Sequence, residues 1–106
     1  MDIPYQNPGP DRDTVDALTT PTMLEFGAPW CPICQGAQPL IESALEQYPQ
    51  VQRLMVEDGP GRRLGRSFRI KLWPTLVFLK AGQEIARIVR PLDEAEILDA
   101  LSELTR

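Results

Sequence analysis

The stretch Thr22-Met23-Leu24-Glu25-Phe26-Gly27-Ala28-Pro29-Trp30-Cys31-Pro32-Ile33-Cys34 decides how this chain is read. Its first half is a short, mostly apolar run bounded by Pro21 and by Gly27-Ala28-Pro29, the pattern of a buried strand. Beyond it, Ile33, Ala37, Leu40, Ile41, Ala44, Leu45 and Tyr48 keep helical spacing up to Pro49 and predict a helix from Cys31 to about Tyr48, kinked at Pro39. Two thiols three positions apart therefore stand where a strand gives way to a helix. There the first sulfur faces unpaired backbone N–H groups and the positive end of the helix dipole, which favour thiolate over thiol. Cys31 is expected to be the attacking sulfur. Cys34, about one turn further in, is expected to resolve a mixed disulfide held on Cys31. Half of a zinc site, or two buried apolar cysteines, are the other readings of the pair, and the strand-to-helix context weighs against both.

On the N-terminal side, Pro4, Pro8, Gly9 and Pro10 disfavour regular pairing, and residues 1–12 are expected to form an irregular arm. Asp11 or Asp13 can cap a short helix reaching about Leu18. On the C-terminal side, Val51 to Val56 reads as a second strand, Asp58-Gly59-Pro60-Gly61 as a turn, and Arg62 to Phe68 as a short basic helix. Thr75 to Lys80 and Glu84 to Val89 flank Ala81-Gly82-Gln83, a hairpin signal. Asp93 with Glu96 forms a capping box, Leu92 and Ile97 stand where a hydrophobic staple would close, and a last helix should bury Ala95, Ile97, Leu98, Leu101 and Leu104. The predicted order is helix, strand, helix, strand, helix, hairpin, helix in one α/β domain spanning 1–106.

Composition narrows the chemistry. The 106 residues carry 11 Lys plus Arg, 15 Asp plus Glu and no His, for a net charge of −4. His-based triads, His-ligated zinc and imidazole bases are excluded, and two cysteines are too few for a closed structural zinc site, so no metal is expected. The longest apolar run, Leu76 to Leu79, is too short to span a membrane, and the first residues lack the pattern of a signal peptide. These features lead to the expectation of a cytoplasmic protein with no membrane partner, where ordinary thiols stay reduced. The acidic total argues against nucleic acid. Arg62, Arg63, Arg66, Arg69 and Lys71 nevertheless gather in one stretch, which reads as a solvated face or as a docking surface for an acidic protein.

With those residues in place, the chain resembles the thioredoxin family. Phe26 to Cys34 resembles that family's active-site segment, Pro39 falls where its active-site helix carries a proline, and Trp73-Pro74-Thr75 followed by Leu76 to Gly82 resembles its proline loop and hairpin. The resemblance runs from about Thr22 to Thr105. It implies a thioredoxin-like fold with a central mixed sheet of four strands, or five, flanked by helices. It also implies a cis peptide before Pro74 that presents backbone groups to an extended substrate peptide; an ordinary trans proline is the alternative. Glu25 matches the acid beneath the cysteine pair. If buried, its pKa should rise, and it could accept the Cys34 proton during resolution and return it later. A solvated edge-strand glutamate is the alternative. Strand parity through Val51, Arg53 and Met55 places Arg53 near the position of a family lysine that approaches this acid, and an arginine would hold it ionised more firmly.

Some residues depart from the family pattern. The Pro-rich arm replaces the first strand, Pro32-Ile33 stands between the cysteines in the proline-first order of glutaredoxins, and Arg90-Pro91 lacks a glycine that thioredoxins place near the active-site surface. No Gly-Gly-Asp glutathione signature follows Pro74. The expected activity is a thiol-disulfide oxidoreductase reducing protein disulfides through a Cys31/Cys34 cycle. In that reading Glu25 assists, Trp30, Pro32, Ile33, Trp73 and Pro74 bind substrate, and a partner reductase supplies electrons. No cofactor is needed, and a monomer is expected. The rival from another class is a non-catalytic redox-sensing module docking through the Arg62 to Lys71 surface.

Overall fold

The computed structural model describes residues 5–106. The observed order is α1 (Arg12–Asp16), β1 (Thr22–Gly27), α2 (Pro32–Glu46), β2 (Gln52–Glu57), α3 (Arg63–Ser67), β3 (Thr75–Lys80), β4 (Gln83–Val89) and α4 (Glu94–Leu104). The strands form a mixed four-stranded sheet ordered β2-β1-β3-β4, with β1 parallel to β2 and antiparallel to β3, and β3 antiparallel to β4. This is the fold class the resemblance implied, in its four-stranded form.

Every residue of β1 is buried because the strand is paired on both edges and covered on both faces. Strand parity divides the core. Met23, Leu76 and Phe78 pack with Ala37, Ile41 and Ala44 of α2 and with Ile97, Leu101 and Leu104 of α4. Leu24, Phe26, Val77 and Leu79 face the other way, toward Val15, Leu64 and Phe68 of α1, α3 and the turn after it. Each such side chain contributes about 1.5–3 kcal/mol relative to exposure, so the two layers fix β1 between them. The second layer is closed by Phe26 against Phe68, ring centroids 5.7 Å apart, and by the Arg12 guanidinium lying 3.9 Å over the Phe68 ring.

Local signals are realised with small shifts. Asp11 caps α1, but the helix ends at Asp16 rather than Leu18, because the Leu18 N–H turns back to Val15 O, one residue short of the helical partner. Val51 remains in the turn, donating to Tyr48 O, so β2 begins one residue later than expected. The hairpin is tighter than the three-residue connection read from sequence: Ala81 and Gly82 alone make the turn, with φ of 50° and 78°, and Gln83 is already in β4. Gly82 is required there twice over, since a Cβ would also meet Asp16 O at 2.0 Å.

The Asp93–Glu96 capping box is present in both directions. The staple is not: Leu92 is 88% exposed while Ile97 is buried in the core, because the chain enters α4 with Pro91 turned inward instead. Packing of α4 on α2, β3 and β4 also rotates its buried face, so that Ala100 is inside and Ala95 outside. Of the arm, residues 1–4 lie outside the described residues. Gln6 makes an isolated parallel bridge to Val56 on the free edge of β2, and Arg12 already opens α1. The Asn7–Pro8 peptide is cis.

Candidate active site

β1 ends at Gly27, and four residues later Cys31 is the N-cap of α2, with Pro32 at the first helical position, where its missing N–H removes nothing from the helix. Cys31 has extended backbone and its Sγ accepts from the Cys34 N–H at 3.2 Å. A sulfur thus takes the capping role usually given to an oxygen. Both cysteines are free and buried, and Cys34 is fully enclosed in the first turn. Burial, and after it the contact with Cys31, pushes the Cys34 thiol up from 9.0 to about 12, against the opposing pull of the Ala28 backbone and the Tyr5 hydroxyl.

Glu25 lies fully buried on β1, the central position that removes the solvated-edge reading. Arg53 donates from Nε and Nη2 to Glu25 Oε1 at 2.9 and 2.8 Å, as the parity of β2 anticipated. Gln38 Nε2 donates to Glu25 Oε2 at 2.9 Å and to the Cys34 carbonyl at 3.1 Å, while Gln38 Oε1 accepts from Arg53. Both carboxylate oxygens are therefore occupied, and Gln38 ties Glu25 to the backbone carbonyl of Cys34. A buried charge is tolerated only when it is paired and hydrogen-bonded in this way.

Around the sulfurs the surface is apolar. Trp30 is 65% exposed and meets Trp73 edge-on at 5.5 Å between ring centroids. Trp73 Nε1 donates to Asp58 Oδ2 at 2.9 Å, and the Asp58 N–H donates to Gly27 O at 2.8 Å, so the indole is tied to the end of β1. Trp73 also packs against the Ala28, Cys31 and Cys34 cluster. Pro32 and Ile33 are exposed beside the thiols, and the Trp73–Pro74 peptide is cis. Arg90, at φ 54° where the sequence lacks a glycine, donates from its N–H to Pro74 O and from Nε to Trp73 O, both at 2.9 Å.

The structure thus gathers Cys31, Cys34, Trp30, Pro32, Ile33, Trp73 and Pro74 at one end of the sheet, with Glu25 below. The basic stretch goes elsewhere: α3 covers the opposite face of the sheet from α2, and Arg62 is paired with Glu57 at 3.3 Å. Among the described residues no cluster of three or more His, Cys, Asp or Glu side chains could hold a metal.

Tyr5, Gln38, Asp58 and the bonds made by Arg90 were not singled out from sequence as parts of the site. For Gln38 a signal existed, since it follows Cys34 by four positions and precedes Ile41 by three on the inward face of α2. Tyr5 and Asp58 arrive from distant elements and carried no local signal.

Two free thiols on the first turn of a helix, one capping it and the other enclosed above a carboxylate, make the dithiol half of a thiol-disulfide oxidoreductase. Comparison with known proteins agrees. The thioredoxin family model matches residues 12–103. The solved structure of reduced thioredoxin 2 from Pseudomonas aeruginosa PAO1 superposes with a TM-score of 0.87 at 52% identity, covering 98% of this chain and 96% of that one. A thioredoxin from Mycobacterium bovis is 33% identical over 87 residues, 79% of this chain and 73% of its own length. A bifunctional thioredoxin reductase/thioredoxin from Mycobacterium leprae is likewise 33% identical over 87 residues, 79% of this chain but 19% of that protein. The chain belongs to the thioredoxin family. No helix among the described residues is long and apolar enough to cross a membrane.

Proposed function

We propose that the protein reduces disulfides in other proteins. The observation that carries this reading is the Cys31 sulfur at the N-cap of α2 with Cys34 in the same turn, its N–H 3.2 Å away. Cys31 thiolate attacks one sulfur of a substrate disulfide and the other sulfur leaves as thiolate. Cys34 then loses its proton and attacks Cys31 Sγ, the mixed disulfide breaks, and the substrate departs reduced while Cys31 and Cys34 are oxidised to a disulfide. Capture of Cys31 in the mixed disulfide removes its charge from beside Cys34, one of the causes that hold the Cys34 thiol up, so the resolving sulfur becomes more acidic when it is needed.

Glu25, in its network with Gln38 and Arg53, is assigned as acceptor of the Cys34 proton. Trp30, Pro32, Ile33 and Trp73 form the apolar rim on which a disulfide-bearing segment rests, and Pro74 sets the backbone beside it. Two electrons return from a partner reductase, a role suggested by the fused reductase of the Mycobacterium leprae relative. The protein is proposed to act as a monomer, one domain over 1–106, in a reducing compartment such as the cytoplasm, where the dithiol stays available.

Cys34→Ser tests the mechanism: it should trap proteins on Cys31 as mixed disulfides released by reductant, and recovery of none would refute it. A reduction potential near about −270 mV, titrated against a thiol-disulfide buffer, fits a reductase, whereas about −120 to −180 mV would mark an oxidase or isomerase instead.

A further inference from the structure

The N-terminal arm brings a phenol to the enclosed sulfur. Gln6 donates its N–H to Met55 O at 2.8 Å and accepts from the Glu57 N–H at 3.0 Å, which pins the arm to the outer edge of β2. From that anchor Tyr5 reaches past β2 to β1. A Cβ on Gly27 would stand 2.8 Å from Cys34 Sγ and 3.0 Å from Tyr5 Oη, so both atoms crowd one position that only glycine leaves open.

The Tyr5 hydroxyl is buried, and among the described residues it has no partner at hydrogen-bonding geometry. It nevertheless lies close enough to Cys34 to pull that thiol's pKa downward, against burial. These two facts fit a phenol facing a neutral thiol, since an S–H sulfur is a weak acceptor and a thiolate a strong one. The missing bond is one that can form when charge appears on Cys34.

We propose that Tyr5 is a catalytic residue of the resolving step, donating its O–H to Cys34 Sγ as that sulfur ionises and attacks Cys31. Such a bond is stronger in the transition state than in the resting thiol, which is the condition for it to raise the rate. Burial, and after it the charge of Glu25, raises Tyr5 well above its ordinary pKa, so the phenol acts as a donor and keeps its proton throughout. The Cys34 proton goes to Glu25, and the electron balance is that of the mechanism above. The ionisable groups around Cys34 are Cys31, Tyr5 and, through Gln38, Glu25 with its partner Arg53.

The inference rests on the reading of Cys34 as the resolving thiol, and a two-phase assay separates the two. Dithiobis(nitrobenzoate) releases one coloured thiolate when Cys31 attacks and a second when Cys34 displaces the mixed disulfide. In Tyr5→Phe the second phase should slow about tenfold or more, with its pH dependence displaced to higher pH, while the first phase keeps its rate. Tyr5→Phe retains the ring and deletes an unpaired hydroxyl, so its thermal midpoint should equal or exceed that of the unsubstituted protein. A second phase that keeps its rate, slows without a pH displacement, or slows by the same factor as the first overturns the role of Tyr5. If the unsubstituted protein releases no second equivalent, the reading of Cys34 falls, and the Tyr5 proposal with it.

Discussion

Replacing Arg53 with leucine should destabilise the reduced protein by far more than a surface substitution does. The Glu25 carboxylate is fully buried and accepts three hydrogen bonds, two of them from Arg53. Arg53→Leu leaves that charge with Gln38 as its one remaining donor. Breaking a buried pair from one side costs about 3–5 kcal/mol. The Arg53 side chain is 23% exposed, so water entering its place offsets part of the loss, and a cost of about 2–4 kcal/mol is expected. For a chain of this length that is a fall in Tm on the order of 10–20 °C. The cost arises from the stranded charge rather than from lost packing. The double variant Glu25→Leu/Arg53→Leu, which removes both charges, should therefore return to within about 1 kcal/mol of the starting stability. Urea denaturation of the four proteins in excess reductant, followed by tryptophan fluorescence, gives the cycle directly. A loss below about 1 kcal/mol for Arg53→Leu, or a double variant no more stable than Arg53→Leu alone, would refute this account of the buried carboxylate.

Alkaline pH should act through Cys34. Between roughly pH 9 and 12 the unfolded chain gives up this thiol proton while the folded chain holds it, so the unfolded state binds fewer protons and stability falls as pH rises. Reduced protein should lose stability over that window faster than Cys34→Ala, and parallel curves for the two would contradict the assignment. Asp93→Ala removes the box that opens α4 and should cost about 0.5–2 kcal/mol in urea denaturation; an unchanged midpoint would mean the cap contributes nothing. Gly65→Ala would place a Cβ 2.0 Å from Asp58 Oδ1, forcing away the carboxylate that holds Trp73. Its expected signature is altered tryptophan emission and a raised KM for disulfide substrates. Unaltered emission and KM would show that Asp58 does not orient the indole.

What could be read from the sequence was whatever the chain encodes within a few residues. The strand-turn-helix around Cys31 and Cys34, the Asp93–Glu96 box and the hairpin glycine are all short-range, and each formed within a residue or two of its expected place. Glu25 was legible for a related reason: one charge in an apolar run is conspicuous, and the family resemblance together with strand parity pointed to Arg53. The staple failed because whether Leu92 turns inward depends on how α4 docks, and the same docking exchanged Ala95 for Ala100. By itself, then, the sequence determined the order of elements and the placement of two thiols at a helix start, since backbone hydrogen bonding and hydrophobic period are local properties. Only the tertiary structure decided what surrounds those thiols. Tyr5 over Gly27 and Asp58 beneath Trp73 are contacts between segments far apart in the chain, fixed by packing that no local pattern records.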